Sequence, residues 1–476
     1  MMLLLSCSLL LGGAAESSVE IPYAYQFPSS VCKVLVVNRG PSPLDLVEPQ
    51  LISGATDGRA ALWTMAEPDV VPPGEMAWIT GLWNLPLPAQ GEIPLRLLWA
   101  ENETSFTAQA VPRLIVTYCV LAEETAYIYV LNRRASDCSI SAADVDDAPV
   151  ALSEPVEVPA GGKALLFGKC TGWRGSEFEA PQVVVRLKPS DGAPVQVCAR
   201  LFKPKHTVLR AAGNAPDTIE CLSHTHDNDR VAAQKAIAAA AAKRQTLRTI
   251  KFCNIDVAAN ATATFAQIME RNHIEPQLAY SSECASRNYV QTLLECVEKT
   301  RRATQPGITY AWIFPSNIHA PSPTPYGVAR LRTMIYAMLA GGSKGFELFP
   351  PKFDDPNGKY AQANNRLLEE LAPLRPLIAV SEPVDLLESE EPAGFVVRTL
   401  VCGDKGILLF ILPLIDNVAH EGRETLRIRG PGYLLSEDAY EVTSGDSFSV
   451  TQPDPRHYAL DVPLTSQAQL YLIPAR

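Results

Sequence analysis

The chain has 476 residues, of which 47% are hydrophobic and 20% are charged. This is enough apolar material for several cores and favours three or four domains. The formal net charge of -11 and the pI near 5.3 argue against nucleic acid and anionic membrane surfaces as partners, because both attract clustered Lys and Arg.

Residues 1–16 form an apolar run that ends in small residues and precedes a polar segment. This pattern is typical of a secretory signal peptide, although the basic start is missing. A lipoprotein signal through Leu4-Leu-Ser-Cys7 fits less well, because the apolar run continues past the cysteine. We therefore predict a secreted, cell-envelope or extracellular protein. No later segment has the roughly 18 uninterrupted apolar residues of a spanning helix, so no membrane span is predicted.

Of the eleven cysteines, ten follow Cys7. An even number in an exported chain permits disulfides, and the expected pairs within one domain are Cys138 with Cys170 and Cys119 with Cys198. The alternative is that these thiols are buried and act as small hydrophobic side chains. No Cys or His cluster has zinc-finger spacing, and neither a metal nor a cofactor is predicted.

Residues 20–205 consist of short β-rich runs broken by Pro and Gly. Two stretches recur roughly 90 residues later. The matching pairs are Val34-Leu-Val-Val-Asn-Arg39 with Tyr127-Ile-Tyr-Val-Leu-Asn-Arg133, and Val71-Pro-Pro-Gly-Glu-Met-Ala-Trp78 with Val158-Pro-Ala-Gly-Gly-Lys-Ala-Leu165. The spacing is about the size of one immunoglobulin-like sandwich. The pattern resembles the adhesion-type immunoglobulin-like modules of bacterial exported proteins and predicts two tandem β-sandwiches, over residues 20–111 and 112–205.

Four tryptophans lie in the first of these predicted sandwiches: Trp63, Trp78, Trp83 and Trp99. Exposed aromatic faces can stack on sugar rings, but buried indoles also dominate sandwich interiors. We favour core packing, above all for Trp78, and take Trp63 and Trp83 as the candidates for exposure.

From residue 206 the pattern changes to alternating strands and helices. Five strand-like runs lie at 218–223, 249–254, 276–280, 308–315 and 341–349. Strands separated by helices imply a parallel sheet with right-handed crossovers. We therefore predict a parallel α/β domain over residues 206–378.

The most specific pattern lies between Ile308 and Phe349. A strand, Ile308-Thr-Tyr-Ala-Trp-Ile-Phe-Pro315, is followed by Pro323-Thr-Pro325, a helix through Tyr336, and the strand Gly341-Gly-Ser-Lys-Gly-Phe-Glu-Leu-Phe349. This resembles the last two β/α units of the (β/α)8 barrel in clan A glycoside hydrolases, the β-galactosidase-like enzymes. The resemblance implies strands four to eight of that barrel and thus an incomplete barrel, whose open edges need covering. The alternative is a small open α/β sheet without barrel ancestry.

Strand-length runs return after residue 378. They resemble the C-terminal antiparallel sandwich that follows the barrel in many clan A enzymes, and predict such a sandwich over residues 379–476. The predicted fold class is therefore multidomain α+β, with two immunoglobulin-like sandwiches, an incomplete barrel-like parallel α/β domain and a terminal antiparallel sandwich.

The catalytic residues of that family have no counterpart here. The strand matching 308–315 carries a nucleophilic glutamate at its C-terminal end, whereas this chain has Ile313-Phe-Pro-Ser-Asn-Ile-His319. The Asn-Glu pair of the acid/base has no match in Ser223-His-Thr-His-Asp227. The resemblance thus implies a hydrolase scaffold without its catalytic glutamates.

Glycoside hydrolysis needs two carboxylates at the C-terminal ends of the strands. If activity is retained, Asp227 and Glu283 are the candidate catalytic pair; the alternative is that both are solvated loop residues. The candidate substrate-binding residues are Tyr280, Trp312, Asn317 and His319. His224-Thr-His226-Asp227 has ligand types that suit zinc or manganese, but no third ligand group is identifiable, so we predict no metal site.

Three functions are compatible with this sequence. The first is an exported, glycan-associated protein that has lost hydrolase activity and binds carbohydrate. The second is an active glycoside hydrolase with relocated carboxylates. The third is a structural protein of the cell surface or envelope.

Overall fold

The computed structural model describes residues 19–26, 31–54, 58, 60–61, 63–82, 92–109, 113–173, 181–204, 208–211, 218–221, 235, 239, 249–252, 275–281, 289–304, 308–314, 325–348, 358–414 and 422–476. In these ranges the chain is mostly β. It divides into two compact units, residues 1–111 and 112–476. The predicted signal peptide lies outside the described residues.

The first unit contains a seven-stranded sheet and a short two-stranded ribbon. Its strands are β1 (Val19–Gln26), β2 (Val31–Asn38), β3 (Leu44–Asp45), β4 (Gln50–Ser53), β5 (Trp63–Glu67), β6 (Val70–Val71), β7 (Met76–Leu82), β8 (Glu92–Trp99) and β9 (Asn102–Gln109). The sheet order is β4-β8-β9-β1-β2-β7-β5, and β3 pairs with β6. Alternation in β8 buries Ile93, Leu95, Leu97 and Trp99 on one face, as expected for a strand with one face on a core.

The second unit begins with a sheet of eight strands. These are β10 (Leu114–Ala122), β11 (Thr125–Asn132), β12 (Cys138–Val145), β13 (Ala148–Ala151), β14 (Val156–Val158), β15 (Lys163–Cys170), β16 (Gln182–Pro189) and β17 (Val195–Phe202). Their order is β13-β15-β11-β10-β17-β16-β12-β14, and β12 also pairs with β13. This last pairing closes seven of the strands into a barrel, whereas the sequence predicted a sandwich. The reason is that the short strand β13 pairs with both β12 and β15.

The two sheets share one strand order. The series β4-β8-β9-β1-β2-β7-β5 corresponds to β12-β16-β17-β10-β11-β15-β13. Each sheet also contains one parallel pair at the same place, between β1 and β9 and between β10 and β17. The repeat seen in the sequence is therefore a repeat of topology.

A buried asparagine joins the two recurring stretches in each copy of the repeat. The amide of Asn38 donates to the carbonyls of Ser42 and Val71, both at 2.8 Å. The amide of Asn132 donates equivalently to Ser136 at 2.9 Å and Val158 at 3.0 Å. Each side-chain oxygen accepts a backbone N–H two residues further on. Each asparagine therefore ties the end of its strand to the distant Val-Pro turn of its own sheet.

Replacing Asn38 with Ala should lower the free energy of unfolding of the first unit by about 1–3 kcal/mol, because buried partners lose their hydrogen bonds. Chemical denaturation measures this loss. Asn102→Ala, which changes an exposed side chain of the same unit, is the control and should change stability by less than about 0.5 kcal/mol. Equal effects of the two substitutions would contradict the role assigned to Asn38.

The cysteines of the second unit whose side chains the structure describes are buried. Cys119, Cys138 and Cys170 form no disulfide there, so both predicted pairings are wrong. The strand register explains this, because β10 and β17 place Cys119 opposite Leu201 rather than Cys198. Burial raises the pKa of Cys119, as expected of a thiol in an apolar core.

The tryptophan prediction is tested at two positions. Trp78 and Trp99 are each only 7% exposed, which confirms core packing for Trp78. Trp83 lies outside the described residues, and the side chain of Trp63 is not described.

The α/β region forms a wholly parallel sheet. Its elements are β18 (Val208–Ala211), β19 (Thr218–Cys221), β20 (Thr249–Phe252), β21 (Glu275–Ser281), α1 (Tyr289–Thr304), β22 (Tyr310–Phe314), α2 (Pro325–Ala340), β23 (Gly345–Leu348), α3 (Lys359–Leu371), a 3-10 turn (Ala372–Leu374) and α4 (Arg375–Ala379). The strand order is β18-β23-β22-β21-β20-β19. The five predicted strands are therefore present as consecutive parallel neighbours.

One further strand, β18, was not predicted. It pairs in parallel with β23, so the first strand of this sheet lies beside the last. It lies between the end of β17 and the first run that was predicted as a strand, at 218–223. Among the described strands β18 and β19 do not pair, so the sheet has six strands and does not show a (β/α)8 barrel.

The C-terminal region is antiparallel throughout. Its strands are β24 (Ser381–Pro383), β25 (Phe395–Cys402), β26 (Gly406–Pro413), β27 (Gly422–Arg429), β28 (Asp438–Glu441), β29 (Ser447–Asp454), β30 (His457–Leu464) and β31 (Gln469–Pro474). They follow the order β24-β25-β26-β31-β28-β29-β30-β27. The prediction of antiparallel strands after residue 378 is confirmed. These eight strands form one continuous sheet, for which the name C-terminal sandwich is used below.

Strand β26 separates two cores. Its side chains Leu408, Phe410 and Leu412 belong to the helix-side core, which includes buried residues of α1, α2 and α3. Its intervening side chains Ile407, Leu409 and Ile411 belong to the sandwich-side core, which includes Tyr118, Tyr129 and Leu165 of the preceding barrel. All eight residues of β26 are buried, as expected for a strand covered on both faces.

In the described ranges, no helix is both long enough and apolar enough to cross a bilayer.

Candidate functional site

The structure describes the backbone of two of the six predicted site residues, both in the parallel sheet. Tyr280 is in β21, level with Ile313, and Trp312 is in the neighbouring strand β22, level with Ala279. Asp227, Glu283, Asn317 and His319 lie outside the described residues. The catalytic and substrate-binding roles of all six residues stay predictions.

The end of β22 is the place where the resemblance to clan A hydrolases implies a nucleophilic glutamate. This strand ends at Phe314 and lies next to β23, the last strand of the region in sequence. The sequence contains no Asp or Glu between Phe314 and Glu347. The end of this strand and the loop that follows it therefore supply no carboxylate.

A groove of about 870 Å³ lies between the β10–β17 barrel and the C-terminal sandwich. One wall comes from residues 152–167 of the barrel, and the other comes from residues 429–434 and 455–456 of the sandwich. Leu165, Val384, Leu386 and Val401 supply buried apolar surface between these walls. The volume is within the range of about 300–1,000 Å³ that is usual for small-molecule sites.

Two aromatic rings lie in the groove, one from each wall. Phe167 and Tyr433 are half-buried, with their centroids 6.0 Å apart and their planes at 87°. The Tyr433 hydroxyl donates to the carbonyl of Gly406 at 2.9 Å. Because of this edge-to-face contact and this hydrogen bond, the aromatic surface is held in place before any ligand binds.

The charged residues of the groove are balanced in number. Three are acidic, Asp137, Glu154 and Glu157, and three are basic, Lys163, Arg429 and Arg456. Among the described residues, Glu154, Glu157, Arg429 and Arg456 form no ion pair. These six charged side chains, called the rim below, therefore offer both hydrogen-bond acceptors and donors to a ligand.

Lys163 connects the groove to a buried ion cluster. Its ammonium lies 3.1 Å from Glu382, whose side chain is fully buried. Arg301 of α1 also donates to Glu382, and the Lys344 ammonium lies 3.7 Å from the second carboxylate oxygen. Lys344 also donates to the Ser381 carbonyl and lies 3.8 Å from the ring centroid of Tyr118. The cluster thus joins the barrel, the parallel sheet region and the C-terminal sandwich.

The pKa values follow from burial and from these neighbours. Burial alone would raise the pKa of Glu382, but Arg301, Lys163 and Lys344 outweigh it and lower the pKa to about 2. Burial lowers the pKa of Lys344 to about 7, against the attraction of Glu382. Burial also lowers the pKa of Lys163. Glu382 is therefore ionised at neutral pH, and its negative charge offsets the burial of Arg301, Lys163 and Lys344.

Hydrogen bonds from two tyrosines of the β10–β11 hairpin join the barrel to the C-terminal sandwich and to the end of α4. The Tyr129 hydroxyl lies 2.7 Å from the carbonyl of Val401 and accepts the Gly403 N–H at 2.8 Å. The Tyr118 hydroxyl donates to the Ala379 carbonyl at 2.6 Å. The two walls of the groove are consequently held by specific bonds as well as by the sandwich-side core.

Tyr129→Phe should lower the free energy of unfolding of the second unit by about 1–3 kcal/mol, because the buried carbonyl and amide partners of the hydroxyl are left unsatisfied. Thermal or chemical unfolding measures this. Tyr440→Phe removes the hydroxyl of a tyrosine that is 42% exposed and should change little. A Tyr129 variant as stable as the wild type would contradict this anchoring role.

Sequence reasoning missed both the groove and the ion cluster. A signal existed in the repeat, where aligned positions differ in kind: Leu35 in the first copy corresponds to Tyr129, and Met76 corresponds to Lys163. Tyr129 and Lys163 contact Val401 and Glu382, so the positions at which the second copy is more polar belong to the surface that contacts the rest of its unit.

No family model and no curated protein matches this chain. Among solved structures it is similar to a GH2 beta-galacturonidase from Eisenbergiella tayi, with 9% identity and a TM-score of 0.31, over 66% of this chain and 61% of that one. It is also similar to a noncanonic maltogenic alpha-amylase, AmyB, from Thermotoga neapolitana, with 10% identity and a TM-score of 0.31, over 52% and 65% of the two chains. The chain thus spans less than two thirds of either enzyme.

A third similar structure is the archaellum periplasmic stator complex of FlaF and FlaG from Sulfolobus acidocaldarius. It has 13% identity and a TM-score of 0.19, over 22% of this chain and 99% of that one. The similar structures thus include glycoside hydrolases at low identity and partial coverage, and they include a protein of another kind.

Proposed function

We propose that this chain is an exported, glycan-associated protein whose glycosidase-like α/β domain binds carbohydrate without hydrolysing it. The observation that carries the proposal is the end of β22, where the hydrolase pattern requires a glutamate and the chain has none between Phe314 and Glu347. Without a nucleophile at that place, the two-carboxylate mechanism lacks one of its groups.

The remaining support comes from the arrangement of the parallel strands. Strands β19 to β23 are consecutive parallel neighbours, as the resemblance to clan A hydrolases implies. In such sheets the C-terminal ends of the strands form the ligand-binding edge. Tyr280 lies next to the last residue of β21, Trp312 lies within β22, and Asn317 and His319 follow β22 in the sequence. We propose that these four residues contact the saccharide.

The proposal is tested with the full chain in two assays. Release of reducing sugar from a broad panel of oligosaccharides and aryl glycosides should be absent, while a glycan array should show binding. Asp227→Asn and Glu283→Gln should leave binding unchanged.

Sugar release that disappears in these two variants would instead establish an active hydrolase. Absence of any glycan binding, together with self-assembly of the purified chain, would favour a structural envelope protein.

The proposed export is tested by expressing the chain with and without residues 1–16 in a bacterial host. We expect only the longer form to leave the cytoplasm, and mass spectrometry of the exported protein should show that the apolar segment has been removed. Retention of both forms in the cytoplasm would overturn this part of the proposal.

A further inference from the structure

We infer that the groove between the β10–β17 barrel and the C-terminal sandwich is a binding site for an uncharged oligosaccharide, separate from the strand ends of the parallel sheet. The inference rests on the proposed association with glycans and adds a location and a ligand class. It is carried by the shape, aromatic content and charge balance of the groove.

The shape of the groove fits a short chain of sugar rings. Its two walls come from different domains and enclose about 870 Å³. Sugar rings have apolar C–H faces and polar edges, so they bind where apolar surface alternates with hydrogen-bonding groups. The Phe167–Tyr433 pair and the exposed side chain of Leu434 supply the apolar surface in this groove.

The mixed acidic and basic groups of the rim disfavour a ligand with a net charge. Guanidinium groups only donate hydrogen bonds and ionised carboxylates only accept them, whereas a sugar hydroxyl does both. Arg429 and Arg456 can therefore donate to hydroxyls that Glu154 and Glu157 accept from. An anionic ligand would meet the carboxylates of the rim, and a cationic ligand would meet the guanidinium groups. An uncharged polyhydroxylated ligand satisfies both sets.

The groove is preformed, which lowers the cost of binding. Its walls are joined beneath the site by the Lys163–Glu382 pair at 3.1 Å and by the hydrogen bonds of the Tyr129 hydroxyl. The rim groups that would contact the ligand are not committed to other ion pairs of the described chain. Changing them should therefore alter affinity more than stability.

The test is titration calorimetry of the full chain with the neutral oligosaccharide that binds best on an array of uncharged and charged glycans. Arg456→Ala and Glu154→Gln should each weaken binding at least about tenfold, since each removes charged hydrogen bonds to the ligand. Arg427→Ala and Glu424→Gln are the matched controls, because they change the same residue types at exposed positions outside the groove. Circular dichroism checks that all four variants fold.

Loss of affinity in the groove variants but not in the controls supports the inference. If neutral oligosaccharides bind equally well to wild type and groove variants, and Asn317→Ala or His319→Ala weakens them, the inference fails while the proposed function stands. Binding of charged glycans alone overturns the ligand class. If no saccharide binds at all, the inference and the proposed binding function both fail.

Discussion

Glu382→Gln is expected to lower the free energy of unfolding of the second unit by about 3–5 kcal/mol. The substitution keeps the shape of the side chain but removes the carboxylate that lies within 4 Å of Arg301, Lys163 and Lys344. Removing one partner of a buried ion pair leaves the other charges desolvated and uncompensated, which costs more than the pair itself contributes.

Equilibrium denaturation of the full chain measures this loss, and amide hydrogen exchange of peptides from β24 and β25 assigns it to the second unit. Glu390→Gln is the matched control, because Glu390 is exposed in the loop that follows β24. It should change stability by less than about 0.5 kcal/mol. Lys344→Met should cost less than Glu382→Gln, since Glu382 then keeps Arg301 and Lys163. A loss at Glu382 no larger than the one at Glu390 would show that the cluster is not a structural joint.

The same cluster predicts a specific dependence on pH. The pKa of Glu382 is about 2 in the folded chain, below its ordinary value of 4.5. The stability that its ionisation contributes is therefore fully present above pH 4.5 and is lost as the pH falls from 4.5 towards 2. The Gln variant lacks this titration, so the difference in stability between wild type and variant should shrink across that window. A constant difference would contradict the assigned pKa shift.

Local patterns were enough to predict much of this fold. The Asn-Arg and Val-Pro stretches around Asn38 and Asn132 revealed the repeat, because the same buried amide joins both stretches in each copy. The order of parallel strands followed from alternating strand and helix signals, since consecutive units of this kind lie side by side. These features depend on residues that are close in sequence or on stretches that recur later in the chain.

What the sequence did not show depends on pairing between distant segments. Strand β18 is defined by its ladder with β23, more than 100 residues away, and not by a pattern of its own. The expected disulfides failed because strand register, which sequence does not give, keeps Cys119 away from Cys198. The groove is likewise formed only when Phe167 and Tyr433 are brought together by the packing of two domains.

Phe410→Ala should lower the free energy of unfolding of the second unit by about 3–5 kcal/mol, because it removes a fully buried ring and leaves a cavity. The ring lies in the helix-side core, edge-on to Tyr336 of α2 with their centroids 5.8 Å apart. Helix α2 is itself buried on every side from Met334 to Ala340, so it cannot move towards the cavity without losing other contacts.

Amide hydrogen exchange distinguishes a loss of stability in the helix-side core from a loss spread over the whole second unit. In Phe410→Ala, protection should fall first in peptides from α2, whereas Leu409→Ala, on the opposite face of β26, should first affect peptides from β11. Tyr440→Ala, which truncates an exposed ring on β28, is the surface control. Identical exchange patterns in the two β26 variants would contradict the separation of the cores. Distinct patterns would mean that the helices and the β10–β17 barrel are each stabilised through this one strand, from opposite faces.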